Sequence, residues 1–319
     1  MSQVSNEYDV AVIGAGSAGL QAALTLGRMR RRTIVFGTDS YRNDPAHAMQ
    51  NFLGHDGTPP AELRAAARKD VEAYASVTFA DVGVTRVRGS VDAFVVEPDG
   101  GEPVTVRRLV LATGVVDDLP EVPGLAELYG DVVAHCPYCH GHEMADGAIG
   151  FLGAGPHVPL LSELVGRLAE RIVVLTDGVA VEELDPALRA GLDRPEVTTV
   201  EAGVAGLRRT EVEGRAGVAV DLVDGSEVAL SGLFVTPAWH QAAPFADQLG
   251  LETADAGGVL VDIMGATSVP GVYAAGDLAH HRDLPMPMAS VLQAAAAGQV
   301  AASAADRDLA ASDLARAVG

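Results

Sequence analysis

The chain has 319 residues, with 22 basic and 43 acidic side chains and a formal net charge of -21. Hydrophobic residues make up 48% of it, which suits a chain of about two domains with sizeable cores. The scarcity of Lys and Arg excludes a protein that binds nucleic acid by neutralising phosphates, and also a basic helix for membrane surfaces. Aromatic residues, at 4%, are too few for a base-stacking platform.

The N-terminal sequence MSQVSNEYDV has neither the basic stretch nor the apolar stretch of a secretory signal peptide. No run of about 20 apolar residues occurs elsewhere. These features predict a cytoplasmic protein without membrane partners. Cys136 and Cys139 are the only cysteines, so a structural disulfide framework is excluded and their spacing predicts redox or metal chemistry.

Two segments of the chain follow the order strand, glycine turn, helix, strand. In the first, strands at 8–13 and 33–36 flank the turn GAGSAG and a helix at 20–29. In the second, strands at 148–152 and 172–175 flank the turn GAGPHV and a helix at 160–168. An Ala-rich helix to about residue 305 closes the chain. The pattern predicts an α/β fold with two Rossmann-like dinucleotide-binding domains.

The first glycine turn has the spacing G-x-G-x-x-G between a strand and a helix. Gly14 permits the tight turn, Gly16 lets the backbone approach a pyrophosphate, and Gly19 allows close packing of helix and strand. The helix N-terminus then faces the phosphates with the positive end of its dipole. Asp39, just past the second strand, is the acid expected on a ribose hydroxyl. The turn alone suits NAD and FAD equally.

The sequence CPYC, which begins at Cys136, predicts the start of a short helix with Pro137 at its first position. The two thiols are three residues apart and share one face, and a thiol at a helix N-terminus has a stabilised thiolate. Three alternatives stay open on the residues alone. They are zinc bound by the thiols with His140 or His142, haem attachment through Cys-x-x-Cys-His, and an inert thiol pair.

The sequences GAGSAG, NFLG, LATG, CPYC and GVYAAGD together resemble the low-molecular-weight thioredoxin reductases over nearly the whole chain. The resemblance implies a homodimer with FAD, an FAD domain of residues 1–117 and 244–319, and an inserted redox domain of residues 118–243. It also implies that Cys139 lies against the flavin while Cys136 faces the substrate. The residues assigned to FAD are Gly14, Gly16, Ser17, Ala18, Gly19, Asp39, Asn43, Asn51, Thr113, Gly114, Asp277 and Ala289.

The second glycine turn departs from the pattern of an NADPH-dependent reductase. Pro156 and Val158 stand in GAGPHV where polar and small residues are usual. Those reductases place an arginine cluster after the next strand to bind the 2′-phosphate, whereas this chain has Asp177, Glu182 and Glu183 there. Acidic side chains repel a phosphate, so the sequence predicts that NADPH binds poorly.

Histidines flank the two cysteines. His135 precedes Cys136 and His140 follows Cys139, and either imidazole could take a proton from a substrate thiol near neutral pH. With YRNDPAHAMQNFLGHDG and the missing NADPH features, HCPYCHG resembles the dithiol oxidases of gliotoxin, holomycin and romidepsin biosynthesis. That resemblance implies catalytic residues Cys136, Cys139, His135 and His140.

The implied reaction is the oxidation of a small-molecule dithiol to an intramolecular disulfide, with O2 reduced to H2O2. The resemblance does not specify the substrate. Two alternatives stay open: an NAD(P)H-dependent thioredoxin or disulfide reductase, and a non-enzymatic flavin redox sensor.

Overall fold

A computed structural model describes residues 7–318. Contacts divide the chain into two units. The first unit contains the segments up to Arg42, from Ala61 to Val116 and from Trp239 onward; the second contains Asn43–Pro60 and Asp117–Ala238. The contacts place segment 43–60 with the second unit, whereas the family resemblance implied that it belongs to the FAD domain.

The first third of the chain supplies most of the larger sheet. Its elements are β1 (Glu7–Ile13), α1 (Ser17–Arg28), β2 (Thr33–Phe36), α2 (Pro60–Glu72), β3 (Val77–Ala80), β4 (Val84–Arg88), β5 (Phe94–Pro98), β6 (Val104–Leu111) and β7 (Val115–Asp118).

The middle of the chain forms the second parallel sheet and an antiparallel one. Its elements are α3 (Leu125–Leu128), β8 (Val133–Ala134), α4 (Pro137–His140), β9 (Ala148–Leu152), α5 (Val158–Val165), β10 (Arg171–Leu175), α6 (Pro186–Leu192), β11 (Val197–Val200), β12 (Val204–Val212), β13 (Arg215–Leu222), β14 (Glu227–Leu230) and β15 (Gly232–Phe234).

The last part of the chain returns to the first unit. Its elements are β16 (Ala238–Gln241), α7 (Phe245–Leu249), β17 (Val259–Val261), β18 (Val272–Ala274), β19 (Ala279–His281) and α8 (Val291–Val318). Helix α8 begins two residues after Ala289, and the Ser290 hydroxyl accepts a hydrogen bond from the backbone amide of Gln293 at 3.1 Å. Among the described residues, no helix is both long and apolar enough to cross a membrane.

In the larger sheet, the strand order is β3-β2-β1-β6-β5-β4, and β18 also pairs with β6. The strands β3, β2, β1, β6 and β18 are parallel, while β4 and β5 are antiparallel. Alternate residues of β1 enter different cores: Ala11 and Ile13 lie in one, Val10 and Val12 in the other. A sheet buried on both faces explains why its strands are nearly continuous apolar runs.

The smaller parallel sheet has the order β11-β10-β9-β15-β8, and a three-stranded antiparallel sheet joins β12, β13 and β14. In β10, Val173 and Leu175 enter one core while Ile172 and Val174 enter another. The prediction of two parallel sheets, each with its own strand–turn–helix unit, is confirmed.

Helix α8 packs closely against α1 because a glycine lies at their crossing. A Cβ on Gly298 would lie 2.0 Å from the carbonyl oxygen of Ala18. The fully buried Arg108 of β6 also holds α8, since its guanidinium donates to Asp308 at 2.6 Å and to Ser312 at 2.7 Å. Both contacts join α8 to elements from the first third of the chain.

Candidate active site

The first glycine turn is closed on one side and open on the other. Gly14 has a φ of +111°, and a Cβ there would lie 2.1 Å from the carbonyl oxygen of Ala112. A Cβ on Gly19 would lie 1.8 Å from the carbonyl oxygen of Gly14. A Cβ on Gly16 would meet only the Tyr41 side chain, at 3.9 Å, among the described residues. The turn therefore exposes its backbone at Gly16, where α1 begins.

Polar side chains that sequence reasoning assigned to FAD surround this turn. The hydroxyl of Thr113, directly after the segment that packs on Gly14, is buried with no hydrogen-bond partner among residues 7–318. The carboxylate of Asp277, in the turn after β18, accepts a hydrogen bond from Arg42 at 2.7 Å. An orphaned buried hydroxyl is costly unless a ligand satisfies it. Arg42 has no counterpart in the sequence prediction.

A cavity of about 290 Å³ adjoins the turn. Ala15, Leu20 and Asp39 are among the residues that line it. The guanidinium of Arg64 stacks over the ring of Tyr41, 4.0 Å from its centroid. A carboxylate beside an open cavity at the end of β2 suits a ribose. The open backbone, orphaned hydroxyl and cavity together fit a dinucleotide such as FAD.

The remaining residues predicted to bind FAD lie in different surroundings. Ser17 and Ala18 form the first turn of α1, and Gly114 has a φ of +70°. Asn43 and Asn51 lie in the segment that packs with the second unit. The backbone N–H of Asn51 donates to the Asp56 carboxylate at 2.7 Å. Ala289 is exposed and precedes α8. Neither asparagine nor Ala289 lines the cavity beside the first turn.

Cys136 and Cys139 form a disulfide, with their Cα atoms 5.3 Å apart. Both residues are half-buried, and Cys136 caps the one-turn helix α4, with Pro137 at its first position. The predicted short helix is thus present. Because α4 has only one turn, its dipole supplies little of the thiolate stabilisation expected from the sequence.

The two histidines beside the disulfide have different partners. The exposed His135 places Nδ1 2.6 Å from the hydroxyl of Tyr129, which donates to the Asp117 carboxylate at 3.2 Å. His140 places Nε2 3.3 Å from the carbonyl oxygen of Gly130. Its Nδ1 is buried without a partner in the described part of the chain, and burial lowers the pKa of His140. Sequence reasoning missed Tyr129 and Asp117.

His142 is exposed in the turn after α4. Across residues 7–318, no group of three or more His, Cys, Asp or Glu side chains lies close enough to hold a metal ion.

The second glycine turn resembles the first in its backbone. Gly153 has a φ of +84°, and its amide donates to Leu175 of β10 at 2.8 Å, as Gly14 donates to Phe36 of β2 at the same distance. The space over the second glycine differs. A Cβ on Gly155 would lie 2.5 Å from Cε1 of the His157 imidazole. The backbone that should approach a pyrophosphate is therefore covered by a side chain.

The His157 imidazole is held by a hydrogen bond. Its Nε2 lies 2.6 Å from the hydroxyl of Thr236, just past β15. Burial lowers the pKa of His157 and so favours its neutral form, which offers no positive charge to a phosphate. His157 also caps α5 and thus stands where the helix amides would face an anion.

The start of α5 also lacks hydrogen-bond donors. Pro156 and Pro159 have no N–H, and they lie on either side of the first residue of the helix. Past β10, the Asp177 carboxylate accepts from the amide of Val204 at 2.7 Å. The first arginine after β10, Arg189, donates to a backbone carbonyl. The phosphate-binding arginine cluster is absent from the sequence at this position.

The chain matches known proteins along nearly all its length. Residues 8–301 match the family model described as pyridine nucleotide-disulphide oxidoreductase. This chain is 35% identical to thioredoxin reductase tcpT of Claviceps purpurea over 286 residues. The aligned region covers 86% of this chain and 87% of that protein. This chain is also 33% identical to thioredoxin reductase sirT of Leptosphaeria maculans over 316 residues. The aligned region covers 95% of this chain and 94% of that protein.

Among solved structures, the crystal structure of HlmI superposes with a TM-score of 0.86 at 36% identity, over all of this chain and 96% of that one. The predicted resemblance to the thioredoxin reductases is therefore confirmed. Family members are flavoproteins that bind FAD. The chain belongs to the pyridine nucleotide-disulphide oxidoreductase family, as a thioredoxin-reductase-like oxidoreductase.

Proposed function

We propose that this chain is an FAD-dependent dithiol oxidase that closes an intramolecular disulfide in a small-molecule dithiol and passes the electrons to O2. The observation that carries the proposal is the His157 imidazole, which fills the space over Gly155 that a pyridine nucleotide needs. Electrons that do not enter from NADPH or NADH can enter as thiols. The disulfide of Cys136 and Cys139 is the group suited to accept them.

FAD fits the first unit through the open backbone at Gly16, the carboxylates of Asp39 and Asp277, and the orphaned hydroxyl of Thr113. When bound, FAD would take two electrons from the reduced cysteine pair and reduce O2 to H2O2. The protein's contribution is to hold the cofactor and to exchange disulfides with the substrate. We also propose a homodimer, as the family resemblance implies.

The cysteines carry the exchange in two steps. A substrate thiol gives its proton to a histidine, and the thiolate attacks Sγ of Cys136. The bond between Cys136 and Cys139 breaks, and Cys139 leaves as a thiolate. The second substrate thiolate then attacks the substrate sulfur bound to Cys136 and releases the Cys136 thiolate. The substrate leaves as a disulfide, and its two electrons remain on the cysteine pair.

The alternative is an NAD(P)H-dependent thioredoxin or disulfide reductase. It uses the same cysteine pair but needs a pyridine nucleotide on the second glycine turn. The covered Gly155, the prolines beside the start of α5 and the acidic residues past β10 all disfavour it.

An anaerobic titration separates the two functions. Dithiothreitol should bleach the flavin absorbance of the purified protein, whereas NADPH and NADH should leave it unchanged over the same time. On admission of air, the flavin absorbance of the dithiol-reduced protein should return and H2O2 should form. Rapid stoichiometric bleaching by NADPH or NADH would assign the protein to the reductases instead.

Single cysteine variants test the order of the two thiols. In Cys136→Ser, the remaining Cys139 thiolate beside oxidised FAD should give a long-wavelength charge-transfer band. Cys139→Ser should lack this band, and its Cys136 thiol should form a mixed disulfide only when the substrate is supplied already oxidised to a disulfide. Both variants should lose dithiol-dependent O2 uptake. Turnover of a dithiol at the parent rate by either variant would contradict the relay.

A further inference from the structure

A chain of hydrogen bonds leads from a carboxylate to the histidine that precedes the disulfide. The Tyr129 hydroxyl lies 3.2 Å from Oδ2 of Asp117 and 2.6 Å from Nδ1 of His135. The Tyr129 and His135 rings are stacked, with centroids 5.9 Å apart and planes inclined by 23°. All three residues belong to the second unit.

Regular structure fixes each member of this chain of hydrogen bonds. Asp117 lies in β7, and His135 directly follows β8. Tyr129 follows α3, where Leu125 and Leu128 are buried in the same core against which the Tyr129 ring packs. The backbone of Tyr129 also bridges to Val133 at the start of β8. The tyrosine hydroxyl is therefore held between the carboxylate and the imidazole.

The direction of the hydrogen bonds sets the tautomer of His135. A carboxylate only accepts, so the Tyr129 hydroxyl donates to Asp117 and its oxygen accepts from Nδ1–H of His135. Nε2 then carries the lone pair, as in a histidine that acts as a general base. A proton taken up on Nε2 makes an imidazolium, and the Asp117 charge stabilises it through Tyr129.

We propose that His135, not His140, takes the proton from the substrate thiol, and that Tyr129 and Asp117 are the positioning residues that orient it. The inference rests on the proposed function, because it names the base for the first thiol exchange. The contrast with His140 supports it. His140 hydrogen-bonds only a backbone carbonyl, and the Glu143 carboxylate acts on it through charge alone; it is also more buried than the exposed His135, and this burial outweighs both and lowers its pKa.

Tyr129→Phe tests the proposal because it removes the hydroxyl but keeps the ring. The measurement is anaerobic stopped-flow reduction of the flavin by dithiothreitol, whose thiols are mostly protonated at pH 7. We expect the rate to fall about tenfold or more, which is less than the roughly 10²–10⁴-fold contribution of a general base because His135 itself remains. Reduction by a phosphine such as tris(2-carboxyethyl)phosphine needs no thiol deprotonation, so it should proceed at the parent rate.

A rescue experiment excludes a merely structural role for Tyr129. With an aromatic dithiol whose thiols are already ionised at pH 7, Tyr129→Phe should approach the parent rate. Equal losses with all three reductants would overturn the proposal. The matched control is Tyr74→Phe, which removes the hydroxyl that accepts a hydrogen bond from Arg28 in the first unit and should leave all three rates unchanged.

A second variant series tests whether Tyr129 acts through His135. His135→Ala should slow the reaction with dithiothreitol at least as much as Tyr129→Phe, and adding Tyr129→Phe to it should cost nothing more. Asp117→Asn should show the same pattern. Additive losses would overturn the proposal. If dithiothreitol fails to reduce the parent protein while the phosphine succeeds, the proposed dithiol oxidase function fails instead.

Discussion

The two glycine turns have the same backbone framework but opposite surfaces. In each, a glycine with positive φ follows the first strand and bonds to the end of the next strand. Over Gly16 the backbone is open except for a distant Tyr41 contact, whereas over Gly155 the His157 imidazole lies on it. The helix begins three residues after Gly14 in the first turn and five after Gly153 in the second.

The difference teaches that the same strand–turn–helix backbone can carry very different side chains over its turn. The packing that fixes the second sheet depends on β9 and β10, whose side chains enter two cores regardless of what lies over the turn. At the second turn, one imidazole, its hydroxyl partner and two prolines occupy the start of the helix that is open at the first turn. Function therefore resides in the few residues over the turn.

The largest expected effect comes from adding one methyl group to each turn in separate variants. Gly14→Ala would place Cβ against the Ala112 carbonyl and should destabilise the protein by roughly 3–5 kcal/mol, with loss of flavin from the purified protein. Gly153→Ala meets no described atom within 4 Å, so only backbone strain of about 1–2 kcal/mol is expected, with flavin retained. Urea unfolding and the flavin spectrum measure both. A colourless Gly153→Ala protein would contradict the comparison.

The next largest effect concerns acidic residues of the two units. Asp277→Ala should weaken FAD binding about 10- to 100-fold, the loss of a charge-assisted hydrogen bond worth about 1.5–3 kcal/mol. Asp177→Ala is the matched change past the second turn and should leave FAD affinity unchanged, since Asp177 bonds the Val204 amide. Fluorescence titration of the apoprotein with FAD measures both affinities. Equal weakening in both variants would remove the functional distinction between the units.

A smaller effect should come from breaking the hydrogen bond that holds the His157 imidazole over the second turn. A double-mutant cycle with His157→Ala and Thr236→Val should give a coupling energy of about 0.5–1.5 kcal/mol in the free energy of unfolding. The flavin spectrum and the rate of dithiol oxidation should not change, because the closure is structural. A coupling energy of zero would mean that the hydrogen bond at 2.6 Å does not hold the imidazole in place.

The smallest effect is a dependence of stability on pH. Burial lowers the folded-state pKa of His140 and His157, so below an unfolded-state pKa of about 6.5 the unfolded chain binds more protons. Stability should therefore be unaffected by these groups above pH 7 and fall as the pH drops below 6.5. Urea midpoints at pH 7.5 and 5.5 should differ less for His157→Gln than for the parent. His142→Gln, a change at an exposed position, serves as the control: its difference between the two urea midpoints should equal that of the parent.

The sequence predicted the fold well because local patterns specify it. The strands at 33–36 and 148–152 have the predicted bounds, since apolar runs between turn residues are read directly. The ends of helices were less predictable. α1 begins at Ser17, before the apolar periodicity starts, and α8 continues to Val318 through a polar stretch that Arg108 and its acidic partners hold.

The site was predictable only where its chemistry is local in sequence. The spacing of the cysteines and glycines revealed the disulfide and both turns. Tyr129 and Asp117 could not be predicted from the sequence. Their hydrogen bond joins residues of two different elements, and such a pair has no characteristic spacing in the sequence. The acidic residues after β10 and the prolines predicted a poor NADPH site. The position of the His157 imidazole over Gly155 could not be predicted, because it depends on the side-chain rotamer of His157 and on Thr236, 79 positions away.

Helix α8 is the last element of the chain, yet it packs on α1, near the beginning. During synthesis, β1 and α1 therefore leave the ribosome long before β18 and α8, the partners that complete their sheet and cover. At about 5–20 residues per second, that wait is on the order of tens of seconds. All strands of the second parallel sheet lie between β8 and β15, so they emerge together in the meantime. The first glycine turn therefore gains its last packing partners only after the strands of the second parallel sheet have emerged.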